Sequence, residues 1–214
     1  MDKSTVLSTT LTEQDVDTIR RIRAWKNRQI IHMAAFTESE LWESMPEKEE
    51  DGTITNCWNI KLQLPSSLSA ATRAEYCSPA LVAKEKHLRV AVAYDSISMI
   101  RSLLQKEWWL TGRKLKHVSG PGQKKKGKMN AAIRTLVEQR DLQVERYKRN
   151  WNALHSLDPN GSWSKTLKAL HKNDIKMLAE DEGKGEGRRK PTWIWRIKGA
   201  ASISDKDVYY GMYS

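Results

Sequence analysis

The chain has 214 residues, 39% of them hydrophobic, with a mean hydropathy of −0.68, a length suited to one ordinary domain or a domain with tails. Lys and Arg number 37 against 26 Asp and Glu, a net charge of +11, which favours polyanionic partners such as nucleic acid or an acidic protein surface. No stretch approaches the roughly 18 apolar residues of a membrane span, and Cys57 and Cys77, isolated from each other and from any His at ligand spacing, argue against a disulfide scaffold and a zinc site.

The N-terminal MDKSTVLSTTLTEQDVD lacks the apolar centre of a signal peptide. The expectation is an intracellular protein, nuclear or cytoplasmic. A first helix is predicted over about 12–34, with Thr12 as cap and Asp15 as the capping-box acid. Its apolar face holds Val16, Ile19, Ile22, Ile30 and Met33, with Trp25 nearby. A short helix is predicted over Thr37–Met45, ended by Pro46 and the acidic run Glu47–Asp51. Residues 53–64 alternate apolar and polar side chains in places, through Ile54, Trp58, Ile60, Leu62 and Leu64. A lone strand is unstable, so this segment is expected to lie extended against helices.

Ser78-Pro79 is a strong helix start, a capping serine followed by proline at the first helical position. The helix is expected to run about 48 Å, to near Leu110, with Leu81, Leu88, Val92, Met99, Leu103 and Leu104 as its stripe. Thr111-Gly112 and Gly120-Pro121-Gly122 should break the chain. A second long helix is expected over about 126–157. Its stripe is Ile133, Leu136, Val137, Val144, Tyr147, Trp151 and Leu154. Asp158-Pro159-Asn160-Gly161 should end it with turn chemistry, and Ser162 should cap a short helix holding Leu167 and Leu170. Residues 180–190 read as a flexible charged, Gly-rich linker, followed by the aromatic knot Thr192-Trp193-Ile194-Trp195.

Neither long stripe can remain in water, and each is the other's nearest partner. The fold class expected is therefore all-α: a long antiparallel helical hairpin, coiled-coil-like, with smaller flanking helices, flexible loops and a tail. The organisation expected is an N-terminal segment over 1–60, a hairpin domain over 61–178 and a linker with an aromatic tail over 179–214. The helix–helix interface is assigned to Leu88, Val92, Met99, Leu103, Leu104, Ile133, Val137, Val144, Tyr147 and Trp151. With the bend centred near 118–119, Leu104 should lie near Ile133 and Val92 near Val144. A parallel coiled-coil oligomer is the rival arrangement.

The charge is concentrated. Residues 1–60 carry 7 basic and 11 acidic side chains, 61–112 carry 7 and 4, 113–149 carry 12 and 3, and 150–214 carry 11 and 8. The balances are −4, +3, +9 and +3, so most of the excess sits in one block. Arg113, Lys114, Lys116, Lys124, Lys125, Lys126 and Lys128 are the candidate nucleic-acid contacts, in a spacing that also resembles a bipartite nuclear-localisation signal. Arg188-Arg189-Lys190 beside Trp193 and Trp195 mixes cations with stacking surfaces, as single-strand binders do; packing of the two indoles onto the hairpin is the plainer reading. His32, His87, His117, His155 and His171 include no i, i+4 pair, and no phosphate-binding glycine motif is present. The carboxylates of 47–51 and 180–182 lie in loops without apolar shielding, unsuited to acid–base catalysis. No catalytic residue, metal or cofactor is expected.

Leu64-Pro65-Ser66-Ser67-Leu68, Tyr76-Cys77-Ser78, the helix LVAKEKHLRVAVAYDSISMIRSLLQ, Gly122-Gln123, ERYKRNWNALHSLDPNGSW, LKALHKNDI and EGKGEGRRKPTWIW follow one another over roughly 60–198. This succession resembles the C-terminal helical region of fungal proteins of the Kyakuja–Dileera–Zisupton (KDZ) transposase group. The resemblance implies a detached helical module or transposon-derived fragment without transposase activity. The family's metal-binding acids and Cys/His segment have no counterpart here. The expected function is a non-enzymatic module acting through non-specific nucleic-acid contact or through a helical protein partner, which includes oligomerisation. The alternatives are a structural coiled-coil protein with no nucleic-acid role, and a relic without selected function.

Overall fold

The computed structural model describes residues 13–43, 60–117, 123–177 and 191–197. The described residues are all-helical and contain no strand. Six α-helices follow in order: α1 Glu13–His32, α2 Ala34–Thr37, α3 Ala70–Tyr76, α4 Pro79–His117, α5 Gln123–Leu157 and α6 Trp193–Arg196. Single 3-10 turns lie at Pro65–Ser67, Ser162–Lys165 and Lys172–Asp174. The chain divides into two compact units, Met1–Glu85 and Lys86–Ser214. This division does not coincide with a boundary at residue 60.

In the first unit, α1 buries Ile19, Lys26, Gln29 and Met33, positions at helix spacing. Val16 and Ile30, expected on the buried face, are 45% and 50% exposed. Ile19 and Met33 keep to the expected face, and the polar side chains of Lys26 and Gln29 complete it. Gln29 Nε2 donates to Leu62 O at 2.9 Å and Gln63 O at 3.0 Å, and Trp25 Nε1 donates to Leu62 O at 3.0 Å. These bonds hold 60–64 against α1 without a ladder of its own; 53–59 lies outside the described residues. The helix expected over Thr37–Met45 is instead α2, at Ala34–Thr37, and 38–41 continue as bend and turn. Phe36 draws it inward: its ring is fully buried with Met33 and Cys77 and meets Tyr76 edge-on at 5.8 Å.

Ser78 caps α4, its Oγ accepting from Leu81 N at 3.3 Å with Pro79 at the first position. The helix does not stop near Leu110. It passes through Gly112, where an added Cβ would meet nothing within 4 Å, and ends at His117. A helical glycine costs only about 1 kcal/mol, too little to break a helix anchored by packing. α5 likewise begins earlier than expected, at Gln123, and includes Gly127.

In the second unit, α4 and α5 pack as an antiparallel pair. Ala93, Ile97, Ile100 and Leu104 of α4 meet Val144, Tyr147 and Leu154 of α5 in one cluster. Arg140 binds Glu107 at 2.7 Å, Arg89 Nη1 donates to Asn150 Oδ1 at 3.1 Å, and Lys86 binds Asp158 at 2.9 Å. A bend at 118–119 would set Arg89 opposite Lys148 and Glu107 opposite Asn130; Arg89 meets Asn150, two residues away, while Glu107 reaches Arg140. Leu88 and Met99, assigned to the interface, are 67% and 47% exposed. Ala93, Ile97 and Ile100 are buried in the cluster instead, beside the expected Leu104.

A third layer covers this pair. Asp158–Gly161 turns the chain, with Gly161 N donating to Asp158 O at 3.2 Å. Gly161 is required there, since a Cβ would lie 2.6 Å from the Trp163 ring. Ser162 opens only a 3-10 turn, and 167–170 is not helical as expected. Leu167 and Leu170 are buried on the cluster nonetheless. Side chains replace the missing helical hydrogen bonds: Tyr147 Oη donates to Lys168 O at 2.7 Å and Trp151 Nε1 to Leu167 O at 3.4 Å. α6 completes the layer. Ile194 is fully buried, Trp193 and Trp195 pack on the same cluster, and Trp195 Nε1 donates to Lys176 O at 2.8 Å. Arg101 donates to Ile194 O and Ile197 O, supplying partners for the carbonyls at the end of that short helix.

Candidate nucleic-acid interface

Each of the seven candidate nucleic-acid contacts falls on a helix end, while Arg188-Arg189-Lys190 lies outside the described residues. Arg113, Lys114 and Lys116 lie on the last turns of α4, and Lys124, Lys125, Lys126 and Lys128 on the first turns of α5. The side chains of 113–126 lie outside the described residues; Lys128 is exposed. Because the helices run antiparallel and 118–122 alone separate them, both groups belong to the same end of the pair. From Trp108 to Val137 the sequence contains no Asp or Glu. The same stretch holds those seven residues and Arg134, also exposed. The last acid before it, Glu107, is joined to Arg140, with the two side chains 25% and 19% exposed. Within the sequence from 108 to 137 the cations therefore have no neighbouring carboxylate.

The two halves of the cluster differ electrostatically. Cations at the α4 C-terminus complement the helix dipole, whereas Lys124–Lys126 sit at the positive end of α5, whose first turn has no acid. Comparison with family models, with curated proteins and with solved structures finds no match.

The remaining predicted interface residues divide by burial. Leu103, Leu104, Val144 and Tyr147 are buried, and Val92, Ile133, Val137 and Trp151 are half-buried. Tyr147 is 0% exposed, and burial, with Tyr94 and Asp174 adding to it, pushes its phenol well above the usual range. His32, His87, His155 and His171 are exposed, with His155 stacked on Trp151 at 5.3 Å. Among the described residues no group of three or more His, Cys, Asp or Glu is placed to hold a metal ion. Cys77 is a buried thiol pushed up by desolvation, which suppresses its reactivity. No described helix is long and apolar enough to cross a membrane.

Sequence reasoning missed a buried polar knot in the first unit. Lys26 is 3% exposed, its Nζ donating to Glu43 O at 2.7 Å and Gln63 Oε1 at 2.9 Å, with the Trp42 ring 5.5 Å away. Desolvation lowers its pKa, opposed by Glu43. Gln63 adopts φ 49°, the left-handed region that favours glycine. Its side chain holds it there, accepting also from Glu43 N at 3.0 Å and donating to Leu41 O at 2.8 Å. Every one of these bonds ties one segment of the first unit to another, so the knot reads as a structural clamp. The sequence signal, Lys26, Gln29 and Met33 at helical spacing, is easily taken for a polar face.

Proposed function

We propose that this chain is a non-enzymatic helical module of a transposon-derived protein that binds nucleic acid non-specifically through its phosphates. The observation that carries the reading is the acid-free basic end, where two packed helices bring together the residues 113–116 and 124–128. The KDZ-like order of phrases over 60–198 supports the transposon-derived origin and agrees with nuclear action. Self-assembly through the α4–α5 seam is the weaker reading, because Val144 and Tyr147 are already buried within one chain. A duplex-binding titration across a salt series tests the proposal. Affinity should fall steeply with salt, and Lys124→Ala/Lys125→Ala/Lys126→Ala should make the log–log slope shallower by about 2–3. Salt-independent binding, or an unchanged slope in the triple variant, rules it out.

A further inference from the structure

We propose that the third layer of the second unit, 162–177 with 193–196, carries a further duplex-binding surface, on which Lys165, Lys168, Lys172, Lys176 and Arg196 contact backbone phosphates. The inference rests on the nucleic-acid reading above for its ligand class, but it uses none of the residues of the basic end. Inside, the layer is hydrocarbon: Trp163, Leu167, Leu170, Met177 and Ile194 are buried on the α4–α5 cluster. Outside, the charge is of one sign. Those five cations are exposed, as is His171, and among the described residues none of the five makes an ion pair. The one acid of the layer, Asp174, is half-buried, and its Oδ2 accepts from His171 N at 2.9 Å. The intervening sequence 178–190 holds four acids and four cations and leaves the balance unchanged.

The backbone under these cations is tied down at several points. Tyr147 Oη donates to Lys168 O, Tyr94 Oη and Thr166 Oγ1 are 2.8 Å apart, Thr192 Oγ1 donates to Asp174 O at 2.9 Å, and Trp195 Nε1 donates to Lys176 O. Tyr147 also meets the Trp193 ring at 6.0 Å, so one α5 side chain touches both segments of the layer. Binding a polyanion therefore orders side chains but not the backbone, and the entropic cost is confined to the cationic side chains. Three features select a duplex. Lysines are compact point charges, suited to phosphates and depleted from protein interfaces. No Trp, Tyr or Phe among the described residues of the layer is exposed, so a single strand finds no stacking platform. None of the exposed large hydrophobic side chains described lies in the layer, so a lipid surface gains no apolar insertion. What remains is electrostatic contact with a backbone whose charges are closely spaced, one per about 1.7 Å of duplex axis.

The test uses the full chain and a fluorescent mixed-sequence duplex, read by anisotropy across a salt series. Lys165→Ala/Lys168→Ala/Lys172→Ala should make the log–log slope shallower by about 2–3. Combination with Lys124→Ala/Lys125→Ala/Lys126→Ala should add the two decrements. An unchanged slope in the layer variant overturns the inference and leaves the basic-end reading standing. A change in the layer variant alone supports this surface and overturns the basic end. Absence of duplex binding by the wild-type chain overturns both. A layer variant that weakens oligothymidine binding more than duplex binding overturns the choice of ligand. Loss of binding to phosphatidylserine vesicles with duplex affinity untouched assigns the surface to lipid and overturns it too. Should the layer variant lose helicity, acetylation footprinting of the wild-type chain decides. Protection of Lys165, Lys168, Lys172 and Lys176 by the duplex supports the surface, and protection confined to other lysines overturns it.

Discussion

The first unit buries charge and amide groups, and the second buries hydrocarbon. Lys26, Gln29, Gln63 and Glu85 are all less than 10% exposed in the first, where Glu85 accepts from Ser66 N at 2.9 Å. In the second, the buried polar residues among those described are Ser96 and Asn150, beside a cluster that runs from Ala93 to Ile194. Both units face the same problem, an irregular segment whose backbone carbonyls need donors. The first solves it with Lys26 and Gln29, whose long side chains lose rotamer freedom and contribute little apolar area. The second solves it with Tyr147, Trp151 and Trp195, whose rings remove large apolar areas from water while their polar tips donate. When one residue supplies both burial and the hydrogen bond, the segment is held more firmly for the same ordering cost.

The largest expected effect tests the second half of that contrast. Tyr147→Ala should destabilise the second unit by about 3–5 kcal/mol, combining a cavity with an orphaned Lys168 carbonyl. Urea unfolding read at α5 by hydrogen exchange measures it, and a loss below about 1 kcal/mol would break the comparison.

An intermediate effect separates the units by pH. Lys26 has a folded pKa below its ordinary 10.5. Below that folded value it is charged in both states and its desolvation cost is fully present. As pH climbs from there toward 10.5, the unfolded chain keeps a proton that the folded one has released, so stability rises with pH. The neutral amine still has two N–H groups for Glu43 O and Gln63 Oε1. Tyr147 behaves oppositely. Its folded pKa lies above the ordinary 10.0, so its contribution is intact below 10.0 and is lost as pH rises beyond it. The stability difference between wild type and Lys26→Met should therefore shift in favour of wild type on alkalinisation. That between wild type and Tyr147→Phe should shift against it. Parallel shifts in chemical-denaturation series would contradict the assignment.

The smallest effect sharpens the position of the seam. Leu88→Ser and Met99→Ser, on the exposed side of α4, should each change unfolding free energy by less than about 0.5 kcal/mol. A thermal-melt loss comparable to that of a buried position would return these residues to the interface.

Local chemistry was readable in the sequence wherever neighbouring residues decide the outcome. Ser78-Pro79 starts a helix and Asp158–Gly161 turns the chain for reasons contained in a few residues. The two long periodic stretches form helices that pair, and the cationic block is a property of composition. Phase was not readable. Leu88 and Met99 are more hydrophobic than Ala93, yet they are 67% and 47% exposed while Ala93 is buried with Ile97 and Ile100, because the side of α4 that meets a neighbour decides burial. The candidate interface divides in the same way. Its charges follow from the sequence, but that Trp108 packs on the core of the second unit while Trp109 is 51% exposed does not.

By itself, then, the order of residues determined which stretches coil, where they stop against strong turn chemistry and where positive charge accumulates. Only the tertiary structure decided which stripe becomes the seam and that 162–177 and 193–196 fold back as a third layer. Helix propensity and capping act over one or two turns, whereas seam choice and layer closure depend on contacts between residues up to 96 positions apart, as in Arg101 with Ile197. Those contacts form only after the chain has closed on itself.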